Sequence, residues 1–152
     1  MSANAKIQAL GITLPEVAKP AGAYVPAVQS GNLVFTAGQI PLVEGKLIAT
    51  GKVGKEISVE EAKSIARVCA LNAVAAIKGV VGDLDRVKKV VKVVGFVSST
   101  PEFTQQPAVI NGASELLEQI FGDSGLHARS AVGVAVLPLD APVEVELVVE
   151  IA

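Results

Sequence analysis

Histidine and cysteine each occur once in 152 residues, tryptophan is absent, and the aromatic side chains are four Phe and one Tyr. The single thiol, Cys69, excludes an intrachain disulfide, and one His with one Cys cannot complete a tetrahedral zinc site, so no metal is expected. With so few aromatics there are no platforms for stacking bases, and a net charge of −2 lacks the clustered cations that phosphate contacts require. No nucleic-acid partner is expected. Charged residues make up only 18% against 51% hydrophobic, too few to solvate a whole exterior, so part of the surface is expected to meet another subunit.

Targeting signals are also lacking. The first fifteen residues hold one Lys and no apolar run of signal-peptide length. Residues 20–43 carry no charge and are long enough to span a bilayer, but Pro20, Pro26, Pro41, Gly22, Gly31 and Gly38 interrupt any helix there. A cytoplasmic protein without a membrane partner is expected. No repeat, low-complexity linker, Walker loop, dinucleotide fingerprint or nucleophile elbow is present, and one domain over residues 1–152 is the expectation. His127 is the only residue that could serve a Ser-His-Asp triad, and no Ser stands in the strand-to-helix elbow such a triad uses.

Ser58-Val-Glu-Glu61 reads as a capping box, and Ala62, Ile65, Ala66, Cys69, Ala73, Ala76 and Ile77 follow helical spacing up to Gly79, where the helix is expected to end. Cys69 falls in this stripe and is expected in the core. A second helix is expected from Gln106 to Phe121, with Pro107 in its first turn and Gly122 at its end. Gly112 in its middle marks either close packing or a tolerated defect. Strands are expected at Tyr24 to Val28, Leu33 to Ile40, Lys46 to Ala49, Val87 to Ser98, Ala128 to Leu137 and Val143 to Ile151. In the fourth, Val87, Lys89, Val91, Val93 and Val97 should share one face, with Arg86, Lys88 and Lys92 on the other at a solvated strand end.

The last two strands read as a hairpin across Pro138 to Pro142. That pairing sets Ser130, Val132, Val134 and Val136 beside Val143, Val145, Leu147, Val149 and Ile151 against the helices. It leaves His127, Arg129, Ala131, Gly133, Ala135 and Leu137 on the other face with Glu144, Glu146, Val148 and Glu150, a surface suited to another sheet. Its register puts Arg129 opposite Glu150 and Glu144 opposite Ala135, about 20 Å apart at about 3.3 Å per residue. Arg129 among small side chains is placed either to grip a carboxylate, with Tyr24 adding a hydroxyl, or to pair with a C-terminal glutamate of another subunit.

Tyr24-Val25, the run Gly31-Asn32-Leu33-Val34-Phe35-Thr36-Ala37-Gly38-Gln39-Ile40-Pro41, and Ala128-Arg129-Ser130-Ala131-Val132 with Leu137-Pro138 and Val143-Glu144-Val145-Glu146 together resemble the RidA/YjgF family. This family is also labelled endoribonuclease L-PSP, and the resemblance covers nearly the whole chain. It implies an α+β, chorismate mutase-like fold, a mixed β-sheet with two helices packed on one face, and a homotrimer with clefts between subunits. It also implies hydrolysis of reactive enamines and imines to 2-keto acids and ammonia, without a cofactor. Carried over by position, Arg129 binds the substrate carboxylate, Glu144 acts near the attacking water, and Tyr24, Gly38 and Asn111 complete the substrate site. Two positions depart: Ala131 stands where deaminating members usually have Cys, and Ala37 where they usually have Ser. Those losses favour, as a second reading, a non-catalytic trimer that binds small carboxylates. A ribonuclease or translation inhibitor is the third, with least support from an acidic pI near 5.4. The longer segment Val43 to Gly54 suggests a variant subgroup.

Overall fold

A computed structural model describes residues 1–152. In chain order it has helix α1 (Ala3–Ala9), strands β1 (Ala27–Ser30), β2 (Leu33–Thr36), β3 (Leu42–Val43) and β4 (Lys46–Leu47), and helix α2 (Val59–Val81). Strand β5 (Val87–Ser98), helix α3 (Gln106–Phe121) and strands β6 (Ala128–Val134) and β7 (Val143–Ile151) follow. Five strands form one sheet in the order β1-β2-β7-β5-β6, in which only the β5–β6 pair is parallel. The helices α2 and α3 pack on each other and on one face of this sheet. This is the mixed sheet with two helices on one face that the sequence predicts.

Helix α2 begins at Ser58, whose hydroxyl accepts from the Glu61 amide, as the capping box requires. It runs past Gly79 and stops at Gly82, whose φ of +79° is the left-handed cap that Gly79 does not adopt. By length and composition α2 could cross a membrane, but 61% of its most apolar window is buried inside the fold, which makes it the core helix. Gly112 is a close-packing position. A Cβ there would lie 2.9 Å from the Lys63 carbonyl carbon, so α2 and α3 meet backbone to backbone.

The C-terminal hairpin is the main correction. Strands β6 and β7 do not pair; β5 lies between them, with Arg129 beside Val93 and Glu144 beside Phe96. The eight residues from Ala135 to Pro142 are enough to step over one strand, and Leu139 and Asp140 turn the chain with φ near +60°. The face phase reverses as a result. Arg129, Ala131 and Gly133 share the helix side with Val93, Gly95 and Val97, while Ser130 and Val132 share the open side with Glu146 and Glu144. Ala131 and Gly133 are small because α3 lies over them: a Cβ on Gly133 would come 2.8 Å from Gln106 Nε2.

In β5, register shifts between Val87 and Lys89 and between Val90 and Lys92 break the expected alternation. Val90, Val93 and Val97 are fully buried, and Val91 turns outward. The expected basic face disperses, because Arg86 donates to the Val81 and Ala152 carbonyls while Lys88 pairs with Glu150 at 3.7 Å. Helix α1 has no counterpart in the sequence reading. It spans seven residues with one buried side chain, Ile7, too little periodicity to detect, although Ser2 caps it and Gly11 has φ +67° after it. The first strand begins at Ala27 rather than Tyr24, and the second ends at Thr36 rather than Ile40.

Gly112→Ala should gain about 1 kcal/mol of helix propensity yet lose more by forcing α2 from α3, for a net destabilisation of about 2 kcal/mol. Urea unfolding of the purified variant measures it; an unchanged midpoint would mean that separating the helices costs no more than the propensity gained.

Candidate active site

Arg129 projects from the edge strand β6 toward α3. Its Nη1 donates to Asn111 Oδ1 at 2.8 Å and to Ser114 Oγ at 3.1 Å, and its Nη2 donates to the Pro107 carbonyl at 3.4 Å. All three partners lie on α3, which holds the guanidinium in one orientation. A guanidinium has five N–H groups, so both protons of Nη1 are occupied while the Nε–H and one Nη2–H stay available. Those two form the side-on fork that matches a carboxylate. Asn111 therefore orients Arg129 and does not point its amide oxygen at a ligand. Within the chain Arg129 makes no ion pair, and its recorded side-chain partners are the neutral groups on α3.

His127 and Ser114 belong to the same cluster, with Ser114 Oγ 2.9 Å from His127 Nε2 and His127 Nδ1 2.6 Å from the Gly125 carbonyl. The sequence reading missed Ser114. An elbow was the only serine context considered, and a helical Ser thirteen positions before the histidine carries no local signal.

Glu144 sits on the opposite side of the sheet. There β2 leaves the ladder after Thr36 and rejoins it at Gln39, whose backbone exchanges two hydrogen bonds with Val145. The Leu147 amide, which would otherwise lose a partner, donates to Thr36 Oγ1 at 2.9 Å. Buried Asn72 on α2 donates to the carbonyls of Ile40 and Leu42 and ties down the far end of the excursion. The excursion lays Gly38 against Glu144: a Cβ on residue 38 would lie 2.6 Å from the carboxyl carbon. Only glycine leaves room for this carboxylate. Burial, and next the charge of Glu146, push the Glu144 carboxyl above its ordinary value of 4.5. Cys69 is buried below, its thiol donating to the Val143 carbonyl at 3.5 Å; burial first and the Glu144 charge second push its pKa well up. This is the core residue the helix pattern predicts.

Within one chain the polar residues of the candidate site form two groups. Arg129, Asn111, Ser114 and His127 gather at the β6 edge on the helix side, while Glu144 and Gly38 meet two strands away on the open side. Three residues of offset and two strand spacings put the backbones of Arg129 and Glu144 about 14 Å apart. The expected register of about 20 Å on one face is thus replaced by a shorter separation through the sheet. Tyr24 lies with neither group. It precedes β1 at the other sheet edge, half exposed, its hydroxyl accepting from the Ala21 amide at 3.2 Å. No three His, Cys, Asp or Glu side chains come together as a metal-ligand set.

Residues 4–151 match the family described as "YjgF/chorismate_mutase-like, putative endoribonuclease". The chain belongs to this family. Among RidA/YjgF relatives, Protein TCP17 of Trypanosoma cruzi is 48% identical over 97% of this chain and 92% of its own. The 2-iminobutanoate/2-iminopropanoate deaminase of Salmonella typhimurium is 35% identical over 84% and 86%. The crystal structure of Atu1372 from Agrobacterium tumefaciens, a protein of unknown function, is 43% identical and superposes with a TM-score of 0.91 over 99% of this chain and 94% of that one. The mixed sheet and helix layer of the RidA/YjgF fold are therefore shared along the whole chain.

The raised Glu144 carboxyl also affects stability. The folded state holds the proton more tightly than the unfolded chain, so the ionised form weakens the fold above the folded pKa, and the penalty disappears as pH falls through it. Because the group is only half buried, the effect is expected to stay below about 1 kcal/mol. Glu144→Gln should unfold at higher temperature than wild type at pH 8, with the gap closing as pH falls toward 4.5. A gap that is constant from pH 4 to 8 would contradict this.

Proposed function

We propose that the protein is a homotrimeric hydrolase of 2-imino acids and their enamine tautomers that releases a 2-keto acid and ammonia and needs no cofactor. The observation that carries this reading is the Arg129 guanidinium, locked by α3 with a side-on fork still open at the edge of the sheet. A 2-imino acid offers that fork a carboxylate bonded directly to the carbon that water must attack. Glu144, its proton affinity raised by burial, suits protonation of the imine nitrogen and holding of the water, with Gly38 giving it room, while Tyr24, which lies with neither group in one chain, joins the cleft only from another copy. The name of the Salmonella relative supports the same reaction class.

Arg129 and Glu144 lie on opposite sides of one sheet, so one chain cannot bring both to a single small ligand. A second copy can, by bringing its open face to the β6 edge. Two features support association: β6 is an unpaired edge, and the open side exposes Val28, Phe35 and Val132 beside Glu144 and Glu146. Cyclic symmetry then makes three equivalent shared sites in a cytoplasmic trimer. The second reading, a trimer that binds small carboxylates without turnover, is favoured by the methyl groups of Ala37 and Ala131, which supply no hydrogen bond to water or ligand. A ribonuclease is disfavoured by the acidic pI and by the single histidine.

The direct experiment generates 2-iminobutanoate enzymatically and follows ammonia release, which the protein should accelerate. Arg129→Lys keeps the charge but loses the fork, and should raise KM about 10-fold or more. Arg129→Ala and Glu144→Ala proteins, each inactive, should regain activity when denatured and refolded together, with about a quarter of the sites intact in an equal mixture. No recovery in mixed trimers verified by mass would sink the shared site. Binding of 2-oxobutanoate without ammonia release would establish the second reading.

A further inference from the structure

We propose that a cavity beside Arg129 is the side-chain pocket of this site and selects 2-imino acids whose side chain ends in a neutral carboxamide, an inference that rests on the hydrolase reading above. The cavity has a volume of about 350 Å³, within the range of small-ligand pockets. Ser99, Thr100, Pro101, Phe103, Gln106 and Gly133 form most of its wall, and no lining residue carries a charge.

The cavity belongs to the same helix and strand that hold the arginine. Nη1 of Arg129 is taken by Asn111 and Ser114, and the Nη2 partner, Pro107, lies nearest the start of α3. The open fork therefore faces away from Ser114, toward the N-terminal end of the helix. Gln106, the residue before Pro107, lies over Gly133, where a Cβ would come 2.8 Å from both Gln106 Nε2 and Ser99 Oγ. Glycine keeps this space free. Only Ala131, with its small methyl, stands between Arg129 and Gly133 on this side of β6. The four residues from Arg129 to Gly133 span about 13 Å, a distance that the arginine side chain and a ligand of about eight heavy atoms cover between them.

Hydrogen-bond accounting identifies the tail. The Phe103 carbonyl can only accept, so the Gln106 atom 2.8 Å from it is the amide nitrogen, which also donates to Ser99 Oγ at 3.4 Å. Buried Ser99 spends its own proton on the Val97 carbonyl at 3.2 Å. Both protons of the Gln106 amide are thus used, and its Oε1 remains an acceptor without a donor. Thr100 uses its backbone amide on Val53 and its carbonyl on Phe103, which leaves its hydroxyl available. A primary amide answers both groups, its nitrogen donating to Gln106 Oε1 and its oxygen accepting from Thr100, while Pro101 and Phe103 wall its methylenes. An alkyl tail would strand Oε1, and a carboxylate would bring an unpaired charge against an acceptor. Lys52 lies outside the lining and donates its ammonium to the Ala135 carbonyl. Because the tail does not react, its contacts act in ground and transition states alike and set KM rather than kcat.

Stable acids test the pocket without turnover. Calorimetric titration of the purified full-length protein with glutaramate, 5-methylhexanoate and glutarate compares one chain ended by an amide, by its apolar isostere and by a charge. Glutaramate should bind at least about 10-fold more tightly than either of the others. Equal affinities, a preference for one of the other two, or no binding of any of them overturns the pocket. Gln106→Leu should abolish the preference for the amide, and so should Gly133→Ala, whose methyl displaces the Gln106 amide. A preference that survives both substitutions overturns the assignment of the tail to this cavity. Ammonia release from enzymatically generated 2-iminobutanoate separates the two readings. Turnover with equal affinities for the three acids overturns the pocket while the hydrolase stands. Selective glutaramate binding without turnover overturns the hydrolase, and with it the imino substrate, while the amide pocket stands.

Discussion

Strand β5 takes β7 along one edge and β6 along the other, and this double pairing is the constraint from which the rest of the architecture follows. It sends β6 to the margin of the sheet, leaves that margin unpaired, and sets the phase that points Arg129 at α3 and Glu144 away from it. Had β6 folded back on β7, the two groups would lie on one face and α3 would have no guanidinium to grip. Twelve residues of β5, four of them fully or nearly fully buried valines, provide the length for both partners.

Around that frame, polar groups spend their hydrogen bonds on holding other polar groups still. Asn111 and Ser114 occupy one end of Arg129, Thr36 replaces a missing ladder contact for Leu147, and Asn72 ties the chain that carries Gly38. Each removes a donor or acceptor that would otherwise be stranded at a strand edge or a bulge. The result is two rigid polar clusters on opposite sides of one sheet.

Much of this was legible in the residues themselves. Both long helices, their caps at Ser58 and Gly122, the buried state of Cys69 and the alternating burial of β7 follow from periodicities of 3.6 and 2 that local chemistry enforces. The family followed from two motif blocks at Tyr24 to Pro41 and Ala128 to Glu146, which the match over residues 4–151 bears out. Short elements escaped: α1 buries a single residue, and β2 ends early because Thr36 and Gln39, not a continuous ladder, complete its pairing.

The chain by itself determined which long segments are helices and strands and which residues are available for chemistry, because propensity, capping and alternation act over a few neighbours. Which strand lies beside which, and hence which face carries Arg129, was decided only by the tertiary structure. The alternation in β6 is compatible with either phase when small residues occupy both sides, and only the packing of Gly133 and Ala131 under α3 chooses between them. The meeting of Ser114, His127 and Arg129 is likewise tertiary. It needs a parallel strand beside β5 and a helix packed across its edge, contacts distant in the chain that no local pattern encodes.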